Sequence, residues 1–144
     1  MIGRLLALVD AARHRARRRR STPEQAAGRR GEDLAHRYLE ARGMRVVARN
    51  WRPAGGAGEI DLIAWERDTL VFVEVKARAS DEYGAPARNV DGEKRRALVR
   101  AGRSYARRAG VAWERVRLDL VSVILSDPPA IEHEKDAFAP GRTL

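Results

Sequence analysis

Apolar residues recur at helical spacing in two segments of the chain. The first begins at Thr22-Pro23-Glu24-Gln25, where Thr22 can cap a helix, Pro23 suits the first helical position and Gln25 completes a capping box. This helix is predicted to run to about residue 42 and to end at Gly43, which tolerates a left-handed backbone. Its predicted apolar face consists of Ala27, Leu34, Ala35, Tyr38 and Leu39.

The other apolar segments have the alternation and composition of β-strands. Strands are predicted at residues 44–50, 59–65, 69–76 and 115–125, and residues 131–138 can add an edge strand. The second helix is predicted between the third and fourth strands, at about residues 91–109. The order α-β-β-β-α-β predicts a single α/β domain over residues 22–144, with one mixed sheet flanked by helices.

The second and third strands are predicted to form a hairpin that is apolar on both faces, so we expect it to be covered on both sides. A tight turn at Arg67-Asp68 sets the register, because side chains alternate along a strand. The expected pairs are then Glu66–Thr69, Trp65–Leu70, Ile63–Phe72 and Asp61–Glu74. A three-residue loop would instead place Glu74 on the opposite face from Asp61.

In this register two acids, Asp61 and Glu74, face each other among apolar residues, with Lys76 beside them. Two carboxylates ~4 Å apart at an effective dielectric near 20 repel by about 4 kcal/mol. The repulsion would be relieved by protonation of one acid, by Lys76, or by a divalent cation between the acids. Two carboxylates with a backbone carbonyl and waters form a hard oxygen site, which suits Mg²⁺ or Mn²⁺. The alternative is a frayed strand end at which Glu74 and Lys76 are solvated.

An acid in one strand followed by Glu-x-Lys in the next is the signature of the PD-(D/E)xK nuclease superfamily, and here it reads Asp61 and Glu74-Val75-Lys76. The surrounding sequence, over roughly residues 27–138, resembles the YraN-like family of bacterial proteins, which is assigned to that superfamily. The resemblance lies in Gly31-Glu32, Asn50, Gly58 to Ile63, Phe72 to Lys76, Lys94 and Arg117-Leu118-Asp119. It implies a restriction-endonuclease-like core, similar to archaeal Holliday-junction resolvases.

The resemblance also implies a function, namely metal-dependent hydrolysis of DNA phosphodiester bonds, directed by DNA structure rather than sequence, in repair or recombination. Asp61, Glu74 and the Val75 carbonyl would hold Mg²⁺ or Mn²⁺, and Glu32 of the first helix would complete the site. Lys76 would orient the attacking water and offset developing charge. Glu32 could instead be a solvated helix acid. The alternative functions are a nucleic-acid-binding module that does not cleave, and a protein-interaction or structural role.

The second helix carries a basic stripe that could follow a phosphate backbone without reading sequence. The stripe consists of Arg96, Arg100, Arg103 and Arg107, and Lys94, near the helix start, could reach the site more directly. An ordinary solvated face is the alternative, because 26 arginines against three lysines reflect a G/C-rich genome. Of the other polar residues, Asp119 is predicted to pair with an arginine, Glu59 to lie at the rim and His36 at the surface.

Composition limits the function classes further. The chain of 144 residues is 44% hydrophobic and 34% charged, and it contains no cysteine, which excludes disulfides and fits a cytoplasmic protein. No apolar run is long enough to span a membrane, and no membrane partner is expected. Seven arginines lie in residues 1–20, so residues 21–144 carry only +3 of the net charge of +9.

The N-terminal segment, residues 1–21, is predicted to lie outside the fold. It could be a solvated tail, an arm that contacts nucleic acid, or a helix on a membrane surface. Resolvase-like folds commonly dimerise to place two cuts, so the resemblance also raises the expectation of a homodimer, although no surface in the sequence identifies a dimer face.

Overall fold

In the computed structural model, which describes residues 22–56, 58–79 and 92–138, two helices cover opposite faces of one five-stranded sheet. The elements are α1 (Pro23–Ala41), β1 (Arg45–Trp51), β2 (Ile60–Glu66), β3 (Thr69–Arg78), α2 (Gly92–Ala109), β4 (Val116–Ile124) and β5 (Ala130–Glu134), with a 3₁₀ turn at Trp113–Arg115 before β4. The predicted mixed α/β order is confirmed, and β5 adds the edge strand. The expectations for residues 1–21 lie outside the described residues.

The strand order is β1-β2-β3-β4-β5, with β3 and β4 parallel and the other neighbours antiparallel. The parallel pair needs a crossover, and α2 lies in that connection. Within the described residues no helix is long and apolar enough to cross a membrane.

The first helix begins as predicted. Thr22 Oγ1 accepts a hydrogen bond from the Gln25 amide at 3.1 Å, and Gln25 Oε1 accepts one from the Thr22 amide at 3.2 Å. These two bonds satisfy N–H groups that the first turn of a helix leaves without partners. After α1, Gly43 has a φ of +88°, so the predicted helix end is confirmed.

The hairpin register is also confirmed, since Glu66 pairs with Thr69, Trp65 with Leu70 and Ile63 with Phe72. Arg67 adopts a φ of +54°, which supplies the left-handed residue that a tight hairpin turn requires. The ladder ends at the pair of Leu62 with Val73, just before Asp61.

Each face of the sheet is buried under one helix, as the two apolar faces of the hairpin predicted. The α1 side is packed from Ala35, Leu39, Leu62, Ala64, Val71, Val73, Val121 and Val123. The α2 side is packed from Ile63, Leu70, Phe72, Leu98, Ala101, Ala106, Leu118 and Leu120. Both layers include β3, which is therefore held from above and below.

Two glycines allow the helices to approach β3 closely. A Cβ at Gly31 of α1 would overlap the Cβ of Ala77, and a Cβ at Gly102 of α2 would lie 2.8 Å from the ring of Phe72. Ala77 and Phe72 flank the segment of β3 that carries Glu74 and Lys76. The close contacts therefore fix both helices against the strand of interest.

The contact at Gly31 can be tested by substitution with alanine. Gly31→Ala should lower the free energy of unfolding by about 1–3 kcal/mol, because the new methyl group has no room beside Ala77. Gly28→Ala is the matched control on the same helix: its Cβ would meet no atom within 4 Å, so the better helix propensity of alanine should stabilise the protein by up to about 1 kcal/mol. Urea unfolding measures both, and equal effects would contradict the close packing of α1 on β3.

Candidate active site at the open end of the hairpin

The Asp61 side chain occupies the end of the β2–β3 ladder. Its Oδ2 accepts a hydrogen bond from the Val75 amide at 2.8 Å, beyond the last backbone pair. The carboxylate thus accepts a hydrogen bond that, in a regular ladder, a backbone carbonyl of the neighbouring strand would accept. The N–H and C=O of a strand residue point toward the same neighbouring strand, so we expect the Val75 carbonyl to face the same gap.

Glu74 lies beside Asp61, and the two acids perturb each other. Burial, the charge of Glu74 and a hydrogen bond between the two side chains together raise the pKa of Asp61 to about 7, against the hydrogen bond from the Val75 amide. Burial also raises the pKa of Glu74, against the charges of Lys94 and Lys76. As pH falls through about 7, the pair therefore takes up a proton, which is the first of the three arrangements considered from the sequence.

Two lysines approach this pair from different elements. Lys94, in the first turn of α2, makes the ion pair with Glu74, at 3.7 Å between Nζ and Oε1. Lys76 lies on β3, and burial followed by the charge of Lys94 lowers its pKa. Two ammonium groups therefore lie near the pair of acids. The lysine in ion-pair contact is Lys94 rather than Lys76.

Glu32 faces this group from α1. Its side chain is 15% exposed, and burial and then the charge of Asp61 raise its pKa, against a hydrogen bond from Asn50 and the charge of Arg49. Arg49 lies 3.6 Å from Glu32 Oε2 but only 2.8 Å from Asp33. Glu32 Oε2 is buried and accepts no hydrogen bond from the described residues.

A buried carboxylate oxygen without a donor is costly, and so is a buried pair of like charges. The Glu32 oxygen and the pair of Asp61 and Glu74 lie where the sequence predicted a cation site. Across the described residues, however, no three or more His, Asp or Glu side chains converge into a group that could hold a metal ion. The side-chain donors at this point are the pair Asp61 and Glu74, and the role of Glu32 as a ligand stays a prediction.

The basic stripe on α2 lies on the opposite side of the helix from Lys94. Arg96, Arg100, Arg103 and Arg107 are all exposed. At 100° per residue, Lys94 falls on the side of Leu98, toward the sheet, whereas the four arginines point to solvent. The Arg103 guanidinium stacks on Trp113, 4.4 Å from its ring centre. Of the predicted nucleic-acid-binding residues, the structure brings only Lys94 to the acids.

Asp119 belongs to a separate polar cluster, and its predicted pairing with an arginine is confirmed. It is fully buried and accepts two hydrogen bonds from Arg117, at 2.8 and 2.9 Å, and one from the Asp136 amide at 3.0 Å. His133 Nε2 lies 2.7 Å from it. Burial alone would raise the pKa of Asp119, but these hydrogen bonds lower it.

His133 is a buried side chain that was not among the residues predicted to matter. Its side chain is only 6% exposed, and the alternation of Ile131 and His133 in β5 was the signal that both face inward. The other two expectations agree with the structure: Glu59 pairs with Arg52 at 2.7 Å, and His36 lies 3.3 Å from Glu40 at the surface of α1.

Comparison with known proteins places these residues in a family. Residues 31–123 match the Uncharacterised protein family UPF0102, a range that contains Glu32, Asp61, Glu74 and both nearby lysines. A UPF0102 protein of Solibacter usitatus is 53% identical over 93% of this chain and 100% of its own length. Relatives in Rhodococcus jostii (48% identical, 78% of this chain, 96% of their own) and Geobacter sulfurreducens (41%, 77%, 87%) carry the same family name.

The raised pKa of Asp61 predicts a pH-dependent stability in the absence of divalent cations. Because the folded-state pKa lies above the ordinary value of 3.8, the stabilisation is complete below about pH 4 and is lost as pH rises through about 7. Asp61→Asn keeps the shape of the neutral acid, so it should raise the melting temperature by about 5 °C or more at pH 8 and change it little at pH 4.

Thermal unfolding in EDTA across this pH range measures the effect. Asp68→Asn, at an exposed acid in the β2–β3 turn, is the control and should leave the pH dependence unchanged. A parallel pH dependence in the wild type and Asp61→Asn would show that Asp61 does not carry the extra proton.

Proposed function

This chain belongs to the UPF0102 family, and we propose that it is a nuclease, dependent on Mg²⁺ or Mn²⁺, that hydrolyses phosphodiester bonds in DNA and selects its substrate by structure. The observation that carries the proposal is the partly buried pair of Asp61 and Glu74 at the open end of a hairpin, with Lys76 and Lys94 beside it. Acids with perturbed pKa values that lie close together are typical of functional sites.

The donor set supports a hard divalent cation. Asp61 Oδ2 is engaged by the Val75 amide, which leaves Oδ1 for a ligand, and Glu74 offers a second carboxylate. With the Val75 carbonyl and waters they would hold Mg²⁺, which usually keeps several waters and takes one or two carboxylates. When bound there, the cation would polarise the phosphate and lower the pKa of an attacking water.

Glu32 fits a supporting role in the same site. Its buried oxygen without a donor would accept a hydrogen bond from a water bound near Asp61. The contact would satisfy the oxygen and orient that water. We therefore retain Glu32 as a site residue, with the Asn50 side chain holding it in place.

We assign to Lys76 the stabilisation of the attacking water and of the phosphate. It follows Glu74 on the same face of β3, and its partly buried ammonium group has a lowered pKa. From there it can donate a hydrogen bond to the attacking water or to a phosphate oxygen, where negative charge develops. This is the role of the lysine in the Glu-x-Lys pattern.

The proton shared by Asp61 and Glu74 must leave when a cation replaces it. Ligand carboxylates bind in their ionised form, so cation binding releases this proton and strengthens as pH rises through about 7. We propose a restriction-endonuclease-like core as the scaffold, since α1, the β1–β3 meander, α2 and parallel β4 follow in the order expected of it.

A second candidate is a nucleic-acid-binding module that does not cleave. Its support comes from α2, where the four exposed arginines point away from the acid pair. Such a stripe could bind a phosphate backbone without presenting it to Asp61 and Glu74. Both candidates predict DNA binding, so cleavage distinguishes them.

The test is cleavage of labelled single-stranded, duplex, flap and four-way-junction DNA, with Mg²⁺, with Mn²⁺ and with EDTA. We expect metal-dependent cutting of one of the structured substrates. Lys76→Met should reduce the rate by about 100-fold or more while DNA binding persists, because the lost group acts on developing charge.

Lys135→Met is the matched control, since Lys135 pairs with Glu66, in the separate polar cluster, and should leave the rate unchanged. Equal cutting by the wild type and Lys76→Met would refute the mechanism. Bound but uncut DNA with both metals would establish the second candidate instead.

A further inference from the structure

The ion pair between Lys94 and Glu74 joins a partly buried carboxylate to an exposed ammonium group. The Glu74 side chain is 13% exposed and lies in β3, whereas the Lys94 side chain is 60% exposed. The distance of 3.7 Å between Nζ and Oε1 exceeds that of a charge-assisted hydrogen bond. Glu74 is therefore the more enclosed partner, and its ion pair with the exposed Lys94 is weak.

The backbone that carries Lys94 is held in place. Gly58 has a φ of +87°, and a Cβ there would lie 2.6 Å from the Ala97 carbonyl oxygen, so the loop before β2 packs directly on α2. Further along α2, Gly102 packs on the Phe72 ring. The start of α2 is thus fixed over the acids, and only the lysine side chain needs to move.

A cation and Lys94 compete for the same carboxylate. Glu74 is one of the two proposed ligand side chains, and Lys94 already places a positive charge on it. Lys76 adds a second ammonium group nearby, and the charges of the two lysines repel. A divalent cation at Glu74 would repel both ammonium groups, and the exposed Lys94 is the one with room to withdraw toward solvent.

We propose that Lys94 is the resident counter-ion of Glu74, which occupies the cation site in the metal-free protein and exchanges with the divalent cation when it binds. This inference rests on the proposed function. The exchange keeps a positive charge beside the Glu74 carboxylate both with and without the metal. In the metal-bound state it leaves Lys94 at the mouth of the site. Lys94 thereby sets how tightly the site holds its cation.

The test is Mn²⁺ affinity without DNA, measured by the electron paramagnetic resonance signal of free Mn²⁺. Lys94→Met removes the competing charge but keeps the side-chain length, so it should bind Mn²⁺ about two- to fivefold more tightly than the wild type. Lys94→Arg keeps the charge and should remain near the wild type. Arg96→Met removes a charge from the same turn but from the other side of the helix, and should change little.

The outcomes separate the two proposals. Tighter binding by Lys94→Met alone supports the exchange. Unchanged or weaker binding by Lys94→Met, or an equal gain in Arg96→Met, overturns the exchange while the cation site stands. If the wild type binds no Mn²⁺, or Asp61→Asn binds it equally well, the cation site fails and the exchange fails with it.

Discussion

The candidate site depends on one hydrogen bond, from the Val75 amide to the Asp61 carboxylate. Backbone pairing of the hairpin stops at Leu62 and Val73, and from there Asp61 contacts the next strand through its side chain. An apolar residue at position 61 would leave a partly buried N–H without an acceptor. The bond also holds the carboxylate beside Glu74, so the feature that completes the strand pairing also creates the electrostatic conflict.

Acidic side chains are buried or partly buried at two places, and their pKa values shift in opposite directions there. Asp119 is fully buried, but hydrogen bonds from Arg117, His133 and a backbone amide lower its pKa. At the other place Asp61, Glu74 and Glu32 all have raised pKa values, with burial as the largest cause. A satisfied network of the first kind adds to stability, whereas the second is stable only with a proton, a lysine or a cation. This contrast is the physical basis for assigning function to the second.

Local sequence signals predicted the parts of this arrangement that depend on neighbouring residues. The capping box fixed the start of α1, and alternation along the hairpin predicted its register and hence the proximity of Asp61 and Glu74. The position of Lys94 near the helix start predicted that it could reach the site, but its pairing with Glu74 depends on where α2 packs, and Gly58 and Gly102 set that position through contacts distant in sequence.

The direction of the basic stripe relative to the site was likewise not determined by its spacing. Helical periodicity places Arg96, Arg100, Arg103 and Arg107 on one side of α2, but the packing of Leu98 on the sheet decides that this side faces solvent. Alternation in β5 places His133 on the same side as Ile131, but which side of this short edge strand is buried depends on the neighbouring strand. Tertiary packing, rather than local pattern, therefore determines which charges meet.

Anomalous diffraction from crystals soaked in Mn²⁺ tests most directly whether Asp61 and Glu74 together form a cation site. We expect a peak at about 2.0–2.6 Å from one oxygen of each carboxylate, with Lys94 displaced from Glu74. A Mn²⁺-soaked crystal with no peak at this pair, and with the Lys94–Glu74 ion pair intact, would contradict the cation site.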